Sequence, residues 1–227
     1  MVRKQQTYLR LSSPFATKVQ TGHTMSIYLH KHDLRDSLSL GPVVAIDTET
    51  MGLNLQRDRL CLVQLSAGDG NAHLVQIAAD QKPCPNLAHL LADSSCEKLF
   101  HFGRFDIAML KQHIGPLYGP LFCTKIASKL CRTYTDKHGL ADLCRELLGL
   151  EISKQQQSSN WGSDELSKAQ EDYAAGDVLY LHQLKAKLKD MLISSDRLQI
   201  AENCFAFLNT RTDLDLAGFE MLDIFHH

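Results

Sequence analysis

Residues 43–46, Val-Val-Ala-Ile, form an unbroken apolar run that ends directly in Asp47-Thr48-Glu49. A continuous run of this kind, rather than an alternating one, predicts a strand buried on both faces. Met51-Gly52 turns the chain, Leu60-Cys61-Leu62-Val63-Gln64-Leu65 follows at hairpin distance, and a third strand is expected over 73–77. Short strands are also expected at 26–29 and 98–102. Helical patterning covers 86–92, 105–113, 124–132 and 140–148, the last closed by Gly149. Residues 154–162 are polar and loop-like. Ser167-x-x-Gln170 is a capping box that opens one long helix to about residue 192. A final helix is expected near 198–208, before an irregular tail. Three antiparallel strands followed by alternating helix and strand predict an α/β fold, a mixed sheet with helices on both faces.

The chain has 227 residues, enough for one domain with a sizeable core. That domain is expected over 25–210, between an N-terminal extension (1–24) and a C-terminal tail (211–227). Residues 1–24 carry Arg3, Lys4, Arg10 and Lys18 and no acid, a composition similar to a transit peptide but without the apolar centre of a secretory signal. They read either as an extended arm or as upstream sequence the working domain does not need. No apolar run reaches the roughly 18 residues of a membrane span. The net charge of −2 excludes a generally basic chain, so any affinity for nucleic acid must be local. Residues 104–154 hold eight Lys/Arg against five Asp/Glu, a net of +3, which leaves −5 on the rest. The seven cysteines form no C-x-x-C pair and several sit in apolar runs, as expected for free thiols in a reducing compartment, the cytoplasm. The eleven histidines contain no H-E-x-x-H.

Three stretches place carboxylates where a core residue belongs. Asp47 and Glu49 follow the strand period of two and project from one face. Like charges that close raise each other's pKa unless a cation neutralises them. Hard oxygen ligands, few in number, are what magnesium takes up, but a solvent-facing pair at a strand end has the same text. Asp106 shares a helix face with Met109 and Leu110, and is also placed to favour the helix N-terminus. Tyr173 and Asp177 lie at i and i+4 on a stripe with Leu166, Ala169, Leu181, Leu184 and Leu188. A buried Asp–Tyr hydrogen bond without chemistry is the alternative there.

Taken together, VAIDTET (44–50), HFGRFD (101–106) and YAAGDVLYL (173–181) resemble the tyrosine branch of the DEDD exonuclease superfamily, and ribonuclease D within it. Gly139-Leu140-Ala141-Asp142-Leu143 and Lys154-x-x-Gln157-x-Ser159-x-Trp161 are similar to the same family. The residue five before Asp177 is Asp172 rather than the His of the histidine branch. The resemblance implies a ribonuclease H-like fold with a five-stranded mixed sheet. It implies two divalent ions, Mg²⁺ or Mn²⁺, on Asp47, Glu49, Asp106 and Asp177, with Asp47 shared between them. Tyr173 would orient the attacking water, since a phenol of reference pKa near 10 is a poor base at neutral pH.

The activity so implied is 3′→5′ hydrolysis of single-stranded RNA ends to nucleoside 5′-monophosphates, with DNA as the alternative substrate. A catalytically silent nucleic-acid-binding module is a third reading, and loss of an acid would mark it. Thr50, Met51, Leu53, His101, Phe105, Lys154, Gln157 and Trp161 are candidate nucleic-acid contacts. Met51 and Leu53 read as base contacts, and Phe105 and Trp161 as stacking surfaces or as core. Lys125, Lys129 and Lys154 read as phosphate contacts or as a solvated face. No protein partner is evident. Two departures stand out: Asp164-Glu165 where the family often has Arg-Pro, and Cys123 where many relatives have Asp.

Overall fold

The computed structural model describes residues 26–80, 82–153 and 155–226, so the expected extension at 1–24 and the candidate Lys154 lie outside the described residues. The sheet is mixed and has six strands, β1 (Ser26–Lys31), β2 (Val43–Thr50), β3 (Leu60–Ser66), β4 (Asn71–Gln76), β5 (Glu97–Phe100) and β6 (Leu121–Cys123). Their spatial order is β1-β4-β3-β2-β5-β6. β2, β3 and β4 are antiparallel neighbours, while β1 joins β4, β5 joins β2 and β6 joins β5 in parallel. The sixth strand, against the five expected, is β6. Three residues are too few to display a period, and its strand character comes from pairing Leu99 with Phe122 and Phe100 with Cys123.

β3 is buried along its whole length, so the sheet is covered on both faces as the apolar runs require. The helices are α1 (Pro85–Ala92), α2 (Arg104–His113), α3 (Thr124–Cys131), α4 (Leu140–Leu143), α5 (Lys168–Leu179), α6 (Leu181–Ser194) and α7 (Leu198–Leu214). α4 continues into a π-helical turn, Cys144–Leu148, that stops at Gly149 in the left-handed conformation. π-turns within helices recur at functional sites. A second π-turn, Asp215–Phe219, follows α7.

The single long helix expected from residue 167 is two helices. The capping box forms, with Ser167 accepting from the Gln170 amide and Gln170 reaching back. The helix then breaks at Tyr180 (φ −103°, ψ −4°), and the leucines at 181, 184, 188 and 192 become the buried face of α6. Tyr173 and Asp177 are therefore not set in a leucine stripe. α5 buries Ala174, Ala175, Val178 and Leu179 against β3 and β4. The two alanines let the helix approach the sheet, and Tyr173 and Asp177 stay half-buried at its border.

Candidate active site

The C-terminal end of β2 carries three side chains that meet two helices. Alternation along the strand puts Asp47 and Glu49 on one face and Thr48 on the other. A bulge between Glu49 and Thr50 disturbs the pairing with β3 at this point, and bulges of this kind re-aim side chains beside sites. From one side α5 brings Asp177 so close that single carboxylate oxygens of Asp47, Glu49 and Asp177 lie within 4.8 Å of one another. From the other side α2 brings the buried Asp106, whose Oδ1 accepts a 2.5 Å hydrogen bond from the Thr48 hydroxyl. One helical turn before Asp177, the Tyr173 hydroxyl donates to it, and the Tyr173 ring tilts against Trp161 with centroids 6.0 Å apart.

Burial and mutual repulsion dominate the electrostatics. Asp47 is pushed well above the carboxylate range by burial, then by the charges of Asp106, Asp177 and Glu49. Glu49 is pushed up to about 9 by burial and by Asp177 and Asp106. Burial raises Asp106 to about 7 against the opposing hydrogen bond from Thr48. Asp177 also rises to about 7 through burial, although Tyr173 donates to it. The Tyr173 phenol is raised by burial and by the same acids, so it stays protonated at neutral pH and can donate but not abstract. Three converging acids, with Asp106 close enough to raise Asp47 and Glu49 further, are a donor set that fits a divalent cation: hard oxygens whose raised pKa values are opposed by no base among the described residues.

The acids form the floor of a cleft of about 600 Å³. Thr50, Leu53, His101, Phe105 and Gln157, all candidate contacts from the sequence, line it. Leu53 is 80% exposed, whereas Met51, half exposed, is not among the residues that line the cleft. Of the two readings of Trp161, stacking surface or core, the structure has the core: only 3% exposed, it packs with Cys61, Leu62, Leu74 and Ala174 and offers no free face for a base. Its ring packs instead against Tyr173. Phe102, Arg104, Lys125, Leu140 and the tail residues Asp215, Glu220 and Met221 also line the cleft, without having been assigned to it from the sequence apart from Lys125 as a phosphate candidate. The tail was not legible there because its approach depends on long-range pairing of Arg104 with Asp215.

The 3′-5′ exonuclease family model matches residues 25–193. The chain belongs to this 3′-5′ exonuclease family. Ribonuclease D of Granulibacter bethesdensis is 35% identical over 168 residues, covering 74% of this chain and 42% of the relative. The chain thus spans less than half the length of that curated relative. Among solved structures, NrnC of Brucella melitensis matches with a TM-score of 0.87 and 56% identity, over 90% of this chain and all of that one. The same Brucella protein has been solved with bound Mg²⁺ and bound to pGG. Ribonuclease D of Escherichia coli matches with a TM-score of 0.66 and 28% identity, over 75% of this chain and 45% of that one. The mixed α/β architecture is that of the ribonuclease D, ribonuclease H-like exonuclease fold. Among the described residues no helix is long and apolar enough to cross a membrane.

Proposed function

We propose that this chain is a metal-dependent 3′→5′ exoribonuclease that hydrolyses single-stranded 3′ ends to nucleoside 5′-monophosphates. The observation that carries this reading is the meeting of Asp47, Glu49 and Asp177 within 4.8 Å, with Tyr173 one turn before Asp177. Asp47, Glu49 and Asp177 would hold the cations, and Asp106 would complete the set. Two Mg²⁺ or Mn²⁺ ions, when bound, supply charge that stabilises the entering and leaving oxygens of an in-line displacement. The chain's own groups do the rest. Tyr173 keeps its proton and orients the water, and Thr48 fixes the rotamer of Asp106. Glu49, at the strand end, contacts the terminal 3′-hydroxyl and so restricts attack to ends. Leu53, exposed at the cleft, packs against the terminal base. Magnesium is supported by the Brucella relative solved with Mg²⁺, and RNA by the ribonuclease D relatives and by the pGG held by that same protein. The free cysteines support a reducing compartment, the cytoplasm.

The test uses matched 5′-labelled single-stranded RNA and DNA, and pGG, with Mg²⁺, Mn²⁺ or chelator, beside Asp177→Ala. A metal-dependent ladder shortening from the 3′ end, faster on RNA and absent in the variant, is expected. Faster DNA cleavage would reassign the substrate. Binding of single strands without cleavage would make the protein a silent binding module.

A further inference from the structure

β5 ends at Phe100 and α2 begins at Arg104, so only three residues, His101, Phe102 and Gly103, make the turn between them. A Cβ on Gly103 would stand 2.5 Å from the Cβ of Phe100, so the turn closes as tightly as glycine permits. The His101 ring is directed inward, its Nδ1 2.9 Å from the Thr124 hydroxyl. Phe102 is sent the other way. Its backbone is left-handed, φ 64°, a conformation that glycine and asparagine adopt readily and phenylalanine does not. Its side chain remains 53% exposed and lines the cleft that holds the four acids. The Lys125 ammonium, from the first turn of α3, lies 3.7 Å from the centroid of the Phe102 ring and lines the same cleft.

A phenylalanine that accepts an unfavourable backbone and stays out of the core contributes little to folding. Strain of this kind persists where the local structure serves a site. What the turn delivers is a flat apolar ring at the wall of a polar cleft, with a cation beside it. A single-stranded nucleotide presents the complementary pair, a π-face and a phosphate. We infer that Phe102 and Lys125 form a nucleotide subsite of the cleft, in which Phe102 stacks a nucleobase and Lys125 meets a neighbouring phosphate. This rests on the exonuclease reading and supplies what buried Trp161 cannot. Stacking on one ring tolerates any base, so the subsite holds single strands in place without selecting sequence.

The test is the affinity of 5′-fluorescent single-stranded RNA for the full chain by anisotropy, with Ca²⁺ in place of Mg²⁺, together with thermal midpoints. Phe102→Gly removes the ring and suits the left-handed backbone. It is expected to weaken binding about 5- to 100-fold without lowering the midpoint. Phe102→Trp is expected to restore binding. An abasic nucleotide at one position should weaken the wild type and leave Phe102→Gly unchanged, which identifies the stacked base. Lys125→Gln should lessen the slope of log affinity against log salt by about 0.7. Wild-type affinity in Phe102→Gly would overturn the inference. So would a loss of affinity that follows a fallen midpoint and is not restored by Trp. If the wild type binds no single strand at all, the exonuclease reading fails with it; wild-type cleavage with an unaffected Phe102→Gly removes the subsite alone.

Discussion

The Thr48 hydroxyl donates to Asp106 Oδ1 at 2.5 Å, and this one bond ties the strand that carries two of the acids to the helix that carries the third. Asp106 accepts it while buried, where a carboxylate without a donor would turn away or take up a proton. Groups that orient a metal ligand typically matter about 10- to 100-fold to metal affinity or activity. Thr48→Val keeps the shape and removes the donor. It should weaken metal-dependent activity, and Mn²⁺ affinity measured by calorimetry, within that range, while Thr48→Ser stays near wild type. Equal Mn²⁺ affinity in Thr48→Val and wild type would deny Thr48 this role.

The same acids set a pH dependence of definite sign. Asp106 and Asp177 have folded pKa values raised to about 7 and Glu49 to about 9. The folded state therefore holds protons that the unfolded chain releases near pH 4. The stabilising contribution of these groups is complete below about pH 4 and is lost as pH rises through 7 and then 9. Metal-free protein should accordingly gain thermal stability from Asp177→Asn at about pH 8 and less at about pH 5. Adding Mg²⁺ should raise the wild-type midpoint more at the higher pH, because it replaces the missing protons. A midpoint for Asp177→Asn that tracks wild type across this range would contradict the clustering.

Gly103 sets the position of the β5–α2 turn and through it His101 and Asp106. Gly103→Ala would drive a Cβ to 2.5 Å from Phe100 Cβ and 2.7 Å from Phe100 Cγ, and Phe100 is fully buried. Overpacking of this sort costs about 1–3 kcal/mol. Urea unfolding should show that loss, with activity falling further than stability because Asp106 lies in the first turn of the next helix.

The acids could be read from sequence because each interrupts an apolar pattern, at Asp47 after four core residues and at Asp106 beside Met109 and Leu110. Tyr173 and Asp177 were legible by spacing alone, although their surroundings were not: the break at Tyr180 contains neither glycine nor proline and arises from packing of α6. β6 escaped because three residues carry no period. Trp161 read equally as a stacking surface or as core, and pattern alone could not choose, because the core it joins, Cys61, Leu62 and Leu74, is about a hundred residues away in sequence. Phe102 was visible as a letter in HFGRFD but not as a surface, since the sign of φ has no signature in hydrophobic patterning. The tail was hidden for another reason, because its order depends on charges more than a hundred residues away.

Those charges meet at Asp215, 3% exposed. Arg104 grips it through Nε at 2.6 Å and Nη2 at 2.7 Å, and Arg211 reaches it at 2.5 Å. Arg104 also donates to the Glu220 carbonyl and Arg211 to the Phe219 carbonyl, so the π-turn is held on both sides and Glu220 and Met221 are brought to the cleft. Burial pushes the Asp215 carboxyl up, but the hydrogen bonds from the two guanidiniums prevail and it sits below its ordinary pKa. Its pH sign is thus opposite to that of the clustered acids: its contribution is present above about pH 4 and is lost on acidification. Asp215→Asn should destabilise the protein by about 2 kcal/mol near neutral pH, less than the roughly 3–5 kcal/mol of a fully buried pair because Arg104 still reaches water. Limited proteolysis should cut residues 216–226 sooner, and KM for short single strands should rise more than kcat falls, since the tail lines the cleft but none of its acids joins Asp47, Glu49 and Asp177. Unchanged proteolysis and KM would show that the tail keeps its place without this ion pair.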